Sequence, residues 1–234
     1  MNDLREYENR LEAEGYKLIG GTDEVGRGPL VGPVVAACCV LGPDFKLDGL
    51  NDSKKLSEKK RNLYAAYIKD HAIAYGIGIV SAKEIDEINI LEASRKAMTI
   101  AIEEVRKQIN MDYVLTDAMK INLDIPVLPI IKGDAKSINI AAASVVAKVT
   151  RDAMMYELDK EYPLYGFASH KGYPTKKHLE AINKYGIFDG YRLTYGPVKD
   201  ILERKEIWLV GIIIWIIKIW KKQKKLLKKE VQKD

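Results

Sequence analysis

Five short apolar runs constrain the fold of this chain more than any other feature. Glycine and proline separate the first two, and three of the five end in acidic residues. We interpret them as β-strands, the first two as neighbours. The runs are YKLIGGTDE, GPVVAACCVLG, AIAYGIGIVS, DYVLTDA and IPVLPIIKGD.

Helical periodicity fills the segments around these runs. We expect helices over about the first fifteen residues, from Ser57 to about Asp70, over 82–89, 91–109, 137–162 and 175–185, and from Pro197 onward. The long helix over 137–162 carries a face of small residues, which is typical of close packing on a sheet. Because three strands come first and helices then alternate with strands, we predict an α/β fold with a mixed sheet flanked by helices.

Net charge is unevenly distributed along the 234 residues. The whole chain carries +5, but residues 201–234 contain ten Lys or Arg and four Asp or Glu, which leaves −1 for residues 1–200. Any basic surface on this nearly neutral body must therefore be local.

The cysteines and the N-terminal segment bear on the cellular compartment of the protein. Cys38 and Cys39 are adjacent within an apolar run and form no disulfide framework, which favours a reducing compartment. The charged N-terminal segment is not followed by the apolar stretch of a signal peptide. We therefore expect a cytoplasmic protein.

Acidic residues stand at the ends of three predicted strands. Asp23 and Glu24 are side by side, so we expect the first strand to end or bulge there if both serve one site. Asp117 ends the fourth strand, and Asp134 follows the fifth. Taken singly, such acids are most often solvated loop residues. Their shared placement predicts a site in the crevice beyond the strand ends.

Such a group of carboxylates needs cations. Each pair would repel by about 4 kcal/mol at about 4 Å and an effective dielectric constant of about 20. Oxygen ligands without a cluster of histidine and cysteine favour Mg²⁺ or Mn²⁺ over Zn²⁺. Two such ions about 3.5–4 Å apart can activate a water and stabilise the leaving oxygen in phosphodiester hydrolysis.

Six ordered blocks of the sequence closely resemble the ribonuclease HII family, from about Lys17 to Ile201. They are GTDEVGRGPLVGPVVAA, LNDSKKLSEKKR, EIDEINILEAS, KGDAKSINIAAASVVAKVTRD, YGFASHKGYPTKKH and GPVK. The resemblance implies an RNase H-like fold with a five-stranded mixed sheet and a small helical C-terminal part. It also implies a metal-dependent endonuclease, acting as a monomer, that cuts the RNA strand of RNA/DNA hybrids and nicks 5′ to single ribonucleotides in duplex DNA.

The family's four catalytic acids match Asp23, Glu24, Asp117 and Asp134. The resemblance implies that the first three bind metal, with two ions during catalysis and with 3′-hydroxyl and 5′-phosphate products.

The resemblance also implies substrate-binding residues. Gly26, Arg27 and Gly28 match a Gly-Arg-Gly element that contacts the 2′-hydroxyl and the neighbouring phosphate, and the missing side chains of the two glycines permit close approach. Tyr173 matches a tyrosine that stacks on the nucleotide next to the ribonucleotide. Lys54 lies in a dense basic stretch and is expected to contact DNA phosphates. Taken alone, Arg27 would suggest a surface ion pair, Tyr173 a packing residue and Lys54 a solvated helix end.

Other functions share some of these features. A ribonuclease HIII-like enzyme has a similar core but an additional N-terminal domain, and only about sixteen residues precede the first strand here. A non-catalytic hybrid-binding module would not require the four acids. A resolvase or transposase of the same fold would not require both the Gly-Arg-Gly element and the distant tyrosine. His170 could carry a proton, but we expect a hydrogen-bonded structural histidine.

The C-terminal segment departs from the family pattern. We expect residues 1–205 to form the catalytic domain and residues 206–234 an atypical tail, apolar from Ile207 to Ile217 and then rich in lysine. The apolar part is shorter than the about 20 residues that span a bilayer. Its three tryptophans and the lysines would suit an anchor at a membrane surface. The alternatives are an extension without function and a helix that docks on a partner.

Overall fold

The computed structural model describes residues 4–50, 53 and 56–204. In this part of the chain the strands are β1 (Ile19–Val25), β2 (Val34–Val40), β3 (Ala74–Val80), β4 (Tyr113–Asp117) and β5 (Val127–Ile130). The helices are α1 (Glu6–Ala13), α2 (Glu58–His71), α3 (Ala82–Arg106), α4 (Ile138–Glu161), α5 (Phe167–His170) and α6 (Lys176–Tyr185). All five predicted strands are present. The four-residue helix α5 was not predicted.

The strands form one five-stranded sheet in the order β3-β2-β1-β4-β5. The β1–β2 and β2–β3 pairs are antiparallel, whereas the β1–β4 and β4–β5 pairs are parallel. The predicted mixed sheet flanked by helices is therefore confirmed. Because β1, β4 and β5 run in the same direction, their carboxyl ends meet at one edge of the sheet.

Glycines let the two long helices pack closely on opposite faces of this sheet. A Cβ at Gly21 in β1 would lie 2.4 Å from the backbone of Asn139 and Ile140 in α4. A Cβ at Gly78 in β3 would lie 1.9 Å from the carbonyl oxygen of Ala97 in α3. The small-residue face predicted for α4 is buried over Ala141, Ala142 and Ala143.

Helix α3 consists of two helical segments joined at Asn89. That residue has φ 66° and ψ 164°, outside the helical range. Its side-chain Oδ1 accepts hydrogen bonds from the backbone N–H groups of Leu91 and Glu92 and so caps the second segment. The split predicted between 82–89 and 91–109 thus exists, although the helix ends at Arg106.

The chain divides into two compact units, residues 1–192 and 193–234. In the second unit the described residues 196–204 are helical, one residue earlier than predicted. The predicted boundary between residues 205 and 206 and the predicted tail lie outside the described residues and stay predictions. Within those ranges, no helix combines the length and the apolar character needed to cross a membrane.

A buried carboxylate on α1 fixes the start of α4. Glu8 Oε1 accepts hydrogen bonds from the Ser137 hydroxyl and, at 3.2 Å, from the Asn139 backbone N–H. The Asn139 side chain in turn accepts from the Leu41 backbone N–H and donates to the Ile19 carbonyl, both at 3.0 Å. Burial raises the pKa of Glu8 above its ordinary value, and its Oε2 has no hydrogen-bond partner in the described structure.

This network predicts a pH-dependent difference between wild type and Glu8→Gln. A raised pKa means that the folded state favours the protonated carboxyl, so its contribution is present below the ordinary pKa and is lost as pH rises through the folded-state value. Glutamine keeps an acceptor for Ser137 and Asn139 but does not titrate. We expect the unfolding free energy of wild type to fall relative to that of Glu8→Gln between pH 4 and pH 7, measured by urea denaturation.

Two further variants control this measurement. Glu8→Ala leaves two buried donors without an acceptor and should lose about 1–3 kcal/mol. Glu6→Gln, an exposed change on the same helix, should reproduce the wild-type pH profile. Parallel profiles for wild type and Glu8→Gln would contradict the prediction.

Candidate active site

Asp23 and Asp117 stand where the parallel strands β1 and β4 part. The last residue pair of the two strands is Thr22 with Thr116, and both aspartates occupy the next position. Neighbouring strands are about 4.8 Å apart, so the two carboxyls share the sheet edge. Burial of Asp23, followed by the negative charges of Glu24 and Asp117, raises the pKa of Asp23 well above its ordinary value. Three of the predicted acids therefore interact electrostatically.

Strand β1 ends at Val25, one residue after the acidic pair, where the segment Val25–Pro29 was expected to end it. It continues to Val25, with Asp23 opposite Ala37 and Glu24 opposite Ala36 in regular register. The two side chains therefore leave opposite faces of the sheet. β2 accompanies β1 to this end, whereas β4 leaves β1 after Thr22, and a single sequence does not reveal that difference in strand length.

Each acid of the pair has its own environment. The Ser144 side chain on α4 hydrogen-bonds to Asp23. Glu24 forms an ion pair at 3.4 Å with Arg27, whose side chain is 47% exposed. Burial raises the pKa of Glu24, the positive charge of Arg27 opposes this rise, and the negative charge of Asp117 adds to it. The charge of Asp117 thus raises the pKa of acids on both faces of the sheet.

Asp134 lies in a turn of 3-10 helix, Gly133–Ala135, just beyond β5. The backbone N–H of Gly133 donates to Asp117 Oδ1 at 2.7 Å, which joins this turn to the end of β4. Lys132 enters the turn in a left-handed conformation, with φ 56°. Asp134 therefore follows Gly133, the residue that contacts Asp117 directly, and Asp134 is half-buried.

The geometry of the acids bears on metal binding. Within the described ranges, no group of three or more His, Cys, Asp or Glu side chains is arranged so that it could hold a metal ion. Protein donors engage Asp23, Glu24 and Asp117 instead. The donor set still fits Mg²⁺ or Mn²⁺, because Mg²⁺ usually takes one or two carboxylates and completes its shell with waters and substrate phosphates. A cation would also offset the like charges around buried Asp23.

The loop that follows β1 is held by a buried arginine that sequence reasoning missed. Arg192 donates to the carbonyl oxygens of Gly26 at 2.6 Å, Arg27 at 3.0 Å and Gly32 at 2.8 Å. Its side chain is fully buried. No local sequence pattern marks Arg192, since its partners lie 160 or more positions away.

A second buried arginine holds the same loop from α4. Arg151 donates to the carbonyl oxygens of Pro33 at 3.0 Å, Val31 at 3.2 Å and Lys171 at 3.0 Å. Burial, with the positive charge of Arg192, lowers the pKa of Arg151 to about 10. Its position seven residues after Ser144, on the small-residue face of α4, was a signal that could have identified it.

Gly26 and Gly28 lack a side chain for different structural reasons. Gly26 has φ 98°, and a Cβ there would lie 2.3 Å from Nε of Arg151. Its missing side chain therefore serves the packing of the protein itself. A Cβ at Gly28 would lie 3.3 Å from the ring of Tyr173, which is 39% exposed. The structure thus brings Tyr173 and the Gly-Arg-Gly loop together.

Two histidines shape the turn that carries Tyr173. His170 accepts from the Gly172 N–H at Nδ1 and contacts the Tyr165 carbonyl through Nε2 at 2.8 Å. His178 contacts the Tyr173 carbonyl and the Tyr191 hydroxyl, both at 2.9 Å. Burial lowers the pKa of each, that of His178 to about 4. His170 is therefore a structural histidine, as expected.

Lys54 lies outside the described residues, but its neighbour Ser53 is described. The Ser53 hydroxyl lies 3.0 Å from the hydroxyl of Ser144, the residue that hydrogen-bonds to Asp23. Arg61 donates to the carbonyl oxygen of Ser53 at 3.2 Å and approaches Asp152 to 3.7 Å. Arg61 therefore anchors this segment and is not one of the freely solvated cations of the basic stretch.

The five-stranded mixed sheet with flanking helices is an RNase H-like fold. Residues 20–195 match the family model of ribonuclease HII. A ribonuclease HII of Bacillus mycoides (strain KBAB4) is 53% identical over 202 residues, which cover 86% of this chain and 78% of that protein. The chain therefore belongs to the ribonuclease HII family and is an endoribonuclease of the ribonuclease H type.

Solved structures support the same fold. The crystal structure of ribonuclease H2 from Pyrococcus horikoshii OT3 has a TM-score of 0.68 and 28% identity, and the match covers 80% of this chain and 97% of that chain. The crystal structure of Bst-RNase HIII in complex with Mn²⁺ has a TM-score of 0.60 and 16% identity over 80% of this chain and 70% of that chain. At that identity the second likeness concerns the fold alone.

The environments of the two glycines predict that their alanine variants differ in stability. Gly26→Ala introduces a side chain at positive φ and against Arg151, so we expect a loss of about 1–3 kcal/mol in unfolding free energy. Gly28→Ala meets only the edge of a half-exposed ring and should stay within about 0.5 kcal/mol of wild type. Urea denaturation of both variants measures the difference. Equal losses would contradict the distinct roles.

Proposed function

We propose that the chain cuts the RNA strand of RNA/DNA hybrids and incises duplex DNA on the 5′ side of single embedded ribonucleotides, leaving 3′-hydroxyl and 5′-phosphate ends. The observation that carries this proposal is the position of the acidic pair. Asp23 and Glu24 stand one residue before the loop of Gly26, Arg27 and Gly28, and the Tyr173 ring lies beside Gly28. Groups suited to recognition therefore adjoin groups suited to hydrolysis.

Asp23, Glu24 and Asp117 would hold the divalent cations, with Asp134 close by. When bound, two such cations supply an activated water and stabilise the leaving 3′-oxygen. The buried like charges around Asp23 support a cation there. Ser144 and the backbone N–H of Glu24 orient the carboxylate of Asp23, and the backbone N–H of Gly133 orients that of Asp117.

The loop offers backbone donors to a ribonucleotide. The carbonyl oxygens of Gly26 and Arg27 bind buried Arg192. In a trans peptide unit the N–H points away from the C=O, so the N–H groups of Arg27 and Gly28 point away from that guanidinium. Such donors suit the oxygen of a 2′-hydroxyl or a phosphate, and the 2′-hydroxyl is what distinguishes RNA from DNA.

Tyr173 suits the nucleotide next to the ribonucleotide. Its ring is partly exposed beside Gly28, and an exposed aromatic face stacks on any base. The contact of Lys54 with DNA phosphates, the cytoplasmic location, the monomeric state and membrane contact by the tail stay predictions.

Duplexes with zero, one or four ribonucleotides, incubated with Mg²⁺ or with EDTA, test the proposed function. We expect Mg²⁺-dependent cuts in the second and third duplexes, mapped to the 5′ side of the single ribonucleotide. Cleavage of the four-ribonucleotide duplex alone would indicate a ribonuclease HIII-like requirement for longer RNA. Binding without cleavage in Mg²⁺ and in Mn²⁺ would indicate a non-catalytic hybrid-binding module.

Removing one carboxylate should abolish most of the activity. Asp117→Asn keeps an oxygen that can accept from Gly133 but loses the charge, so we expect at least about a hundredfold lower kcat/KM, because metal ions supply several kcal/mol of stabilisation. Asp44→Asn, an exposed change in the loop after β2, serves as the matched control and should retain full activity. Full Mg²⁺-dependent cleavage by Asp117→Asn would refute the role of this acid.

Arg27→Ala should impair ribonucleotide selection more than metal binding. We expect kcat/KM on the single-ribonucleotide duplex to fall about tenfold or more, because a charge-assisted contact is lost. The Mg²⁺ concentration for half-maximal rate should change less than about twofold. Arg10→Ala, which removes an exposed arginine from α1, is the control. An equal shift in the Mg²⁺ requirement would show that Arg27 acts through Glu24 instead.

A further inference from the structure

The proposed substrate creates an electrostatic difficulty at the sheet edge. Four acids stand there, and a duplex carries about one negative charge per 1.7 Å of its axis. The β1 side of this edge offers Arg27, which already pairs with Glu24. Cations on the far side, beyond β4 and β5, would hold the remainder of the duplex against the repulsion.

Three exposed lysines lie in the segments that follow β4 and β5, and Lys120 also lines a cavity with Glu92 and Lys96 of α3. Lys120 follows the end of β4, Lys132 follows the end of β5, and Lys136 follows the turn of Asp134. Among the described residues, none of the three forms an ion pair. Six other lysines of the described chain do, for example Lys96 with Glu84 and Lys148 with Asp152.

The three lysines lie around one contact of the acidic site. That contact is the hydrogen bond from the Gly133 N–H to Asp117, and the N–H of Ala118 also donates to the Ile130 carbonyl, which joins the two strand ends. Lys132 precedes Gly133 in the chain, and the backbone N–H of Lys136 donates to the Gly133 carbonyl at 2.9 Å. Lys120 lies three residues after Asp117. Three residues of extended chain span at most about 10 Å.

We infer that Lys120, Lys132 and Lys136 form a phosphate-binding track for the backbone of the substrate duplex, on the side of the acids opposite the Gly26–Gly28 loop. This inference rests on the proposed function. In the order β1-β4-β5, one strand spacing of about 4.8 Å separates β1 from the strand before Lys120, and two spacings, about 10 Å, separate it from the strand before Lys132 and Lys136. About six duplex charges fall within that distance, so one duplex contacts both sides of the acids.

The absence of ion pairs at these lysines makes the track effective. A lysine that pairs with a carboxylate must give up that partner before it binds a phosphate, whereas a solvated lysine displaces only ions and water. Such contacts release counterions and add affinity that does not depend on the base sequence. The track therefore adds affinity and orientation, and recognition of the ribonucleotide stays with the loop.

The salt dependence of binding tests the track. The triple variant Lys120→Gln, Lys132→Gln, Lys136→Gln is compared with Lys17→Gln, Lys46→Gln, Lys107→Gln, which removes the same charge at exposed positions near the amino ends of β1 and β4. All proteins are the full chain with Asp117→Asn, and binding of a single-ribonucleotide duplex is measured in EDTA. The slope of log K against log[salt] should become about 2–3 units less steep in the first triple, because each phosphate contact contributes about 0.9, and should stay unchanged in the second.

Different outcomes would overturn the phosphate-binding track and the proposed function. Equal slopes for the two triple variants overturn the track, even if the wild-type enzyme cuts the single-ribonucleotide duplex. A wild-type enzyme that cuts no duplex overturns the proposed function, while the binding slopes still decide the track. Equal unfolding free energies for the two triples exclude a folding defect, and restoring the three positions as arginine should recover the slope.

Discussion

Two buried guanidinium groups that donate to backbone carbonyl oxygens determine the shape of the loop beside the acids. A buried cation is costly unless its donors are satisfied, and Arg192 and Arg151 satisfy theirs with carbonyl oxygens. Each such donor or acceptor left unpaired would cost about 1–3 kcal/mol. The loop from Gly26 to Pro33 therefore cannot take another path without leaving several groups unsatisfied. Its N–H groups are oriented before any substrate arrives, which is the preorganisation that recognition requires.

The acids depend on a different constraint, the unequal lengths of neighbouring strands. β2 accompanies β1 to Val25, whereas β4 leaves β1 after Thr22. Asp23 and Glu24 therefore keep regular strand geometry on one side while the other side opens towards Asp117. Asp117, at the end of β4, can then interact with two adjacent residues that lie on opposite faces of β1. Its negative charge raises the pKa of both Asp23 and Glu24. A bulge is not needed to combine neighbouring acids in one electrostatic site.

The sequence predicted the parts of this molecule that depend on local patterns. Apolar runs gave the five strands, and Ser57 caps α2 by accepting from the Lys60 N–H. The rule that sites lie beyond strand ends pointed to the edge where the acids stand. The departure of β4 from β1 after Thr22, while β2 stays paired to Val25, was not predictable, because it depends on pairing with distant strands. Nor was Arg192, since arginine is mostly exposed and its carbonyl partners are far away in sequence.

A chain of hydroxyl groups connects the acidic site to the basic stretch that begins at Lys54. A serine hydroxyl has one proton, and ionised Asp23 can only accept, so Ser144 donates to Asp23. Ser144 then has no proton for Ser53, and Ser53 must donate to Ser144 across their 3.0 Å contact. The charge on Asp23 therefore fixes the direction of both hydrogen bonds. A proton on Asp23 would therefore remove the constraint on the direction of the hydrogen bond between Ser53 and Ser144. The Ser53 backbone would stay in place, because Arg61 donates to its carbonyl oxygen.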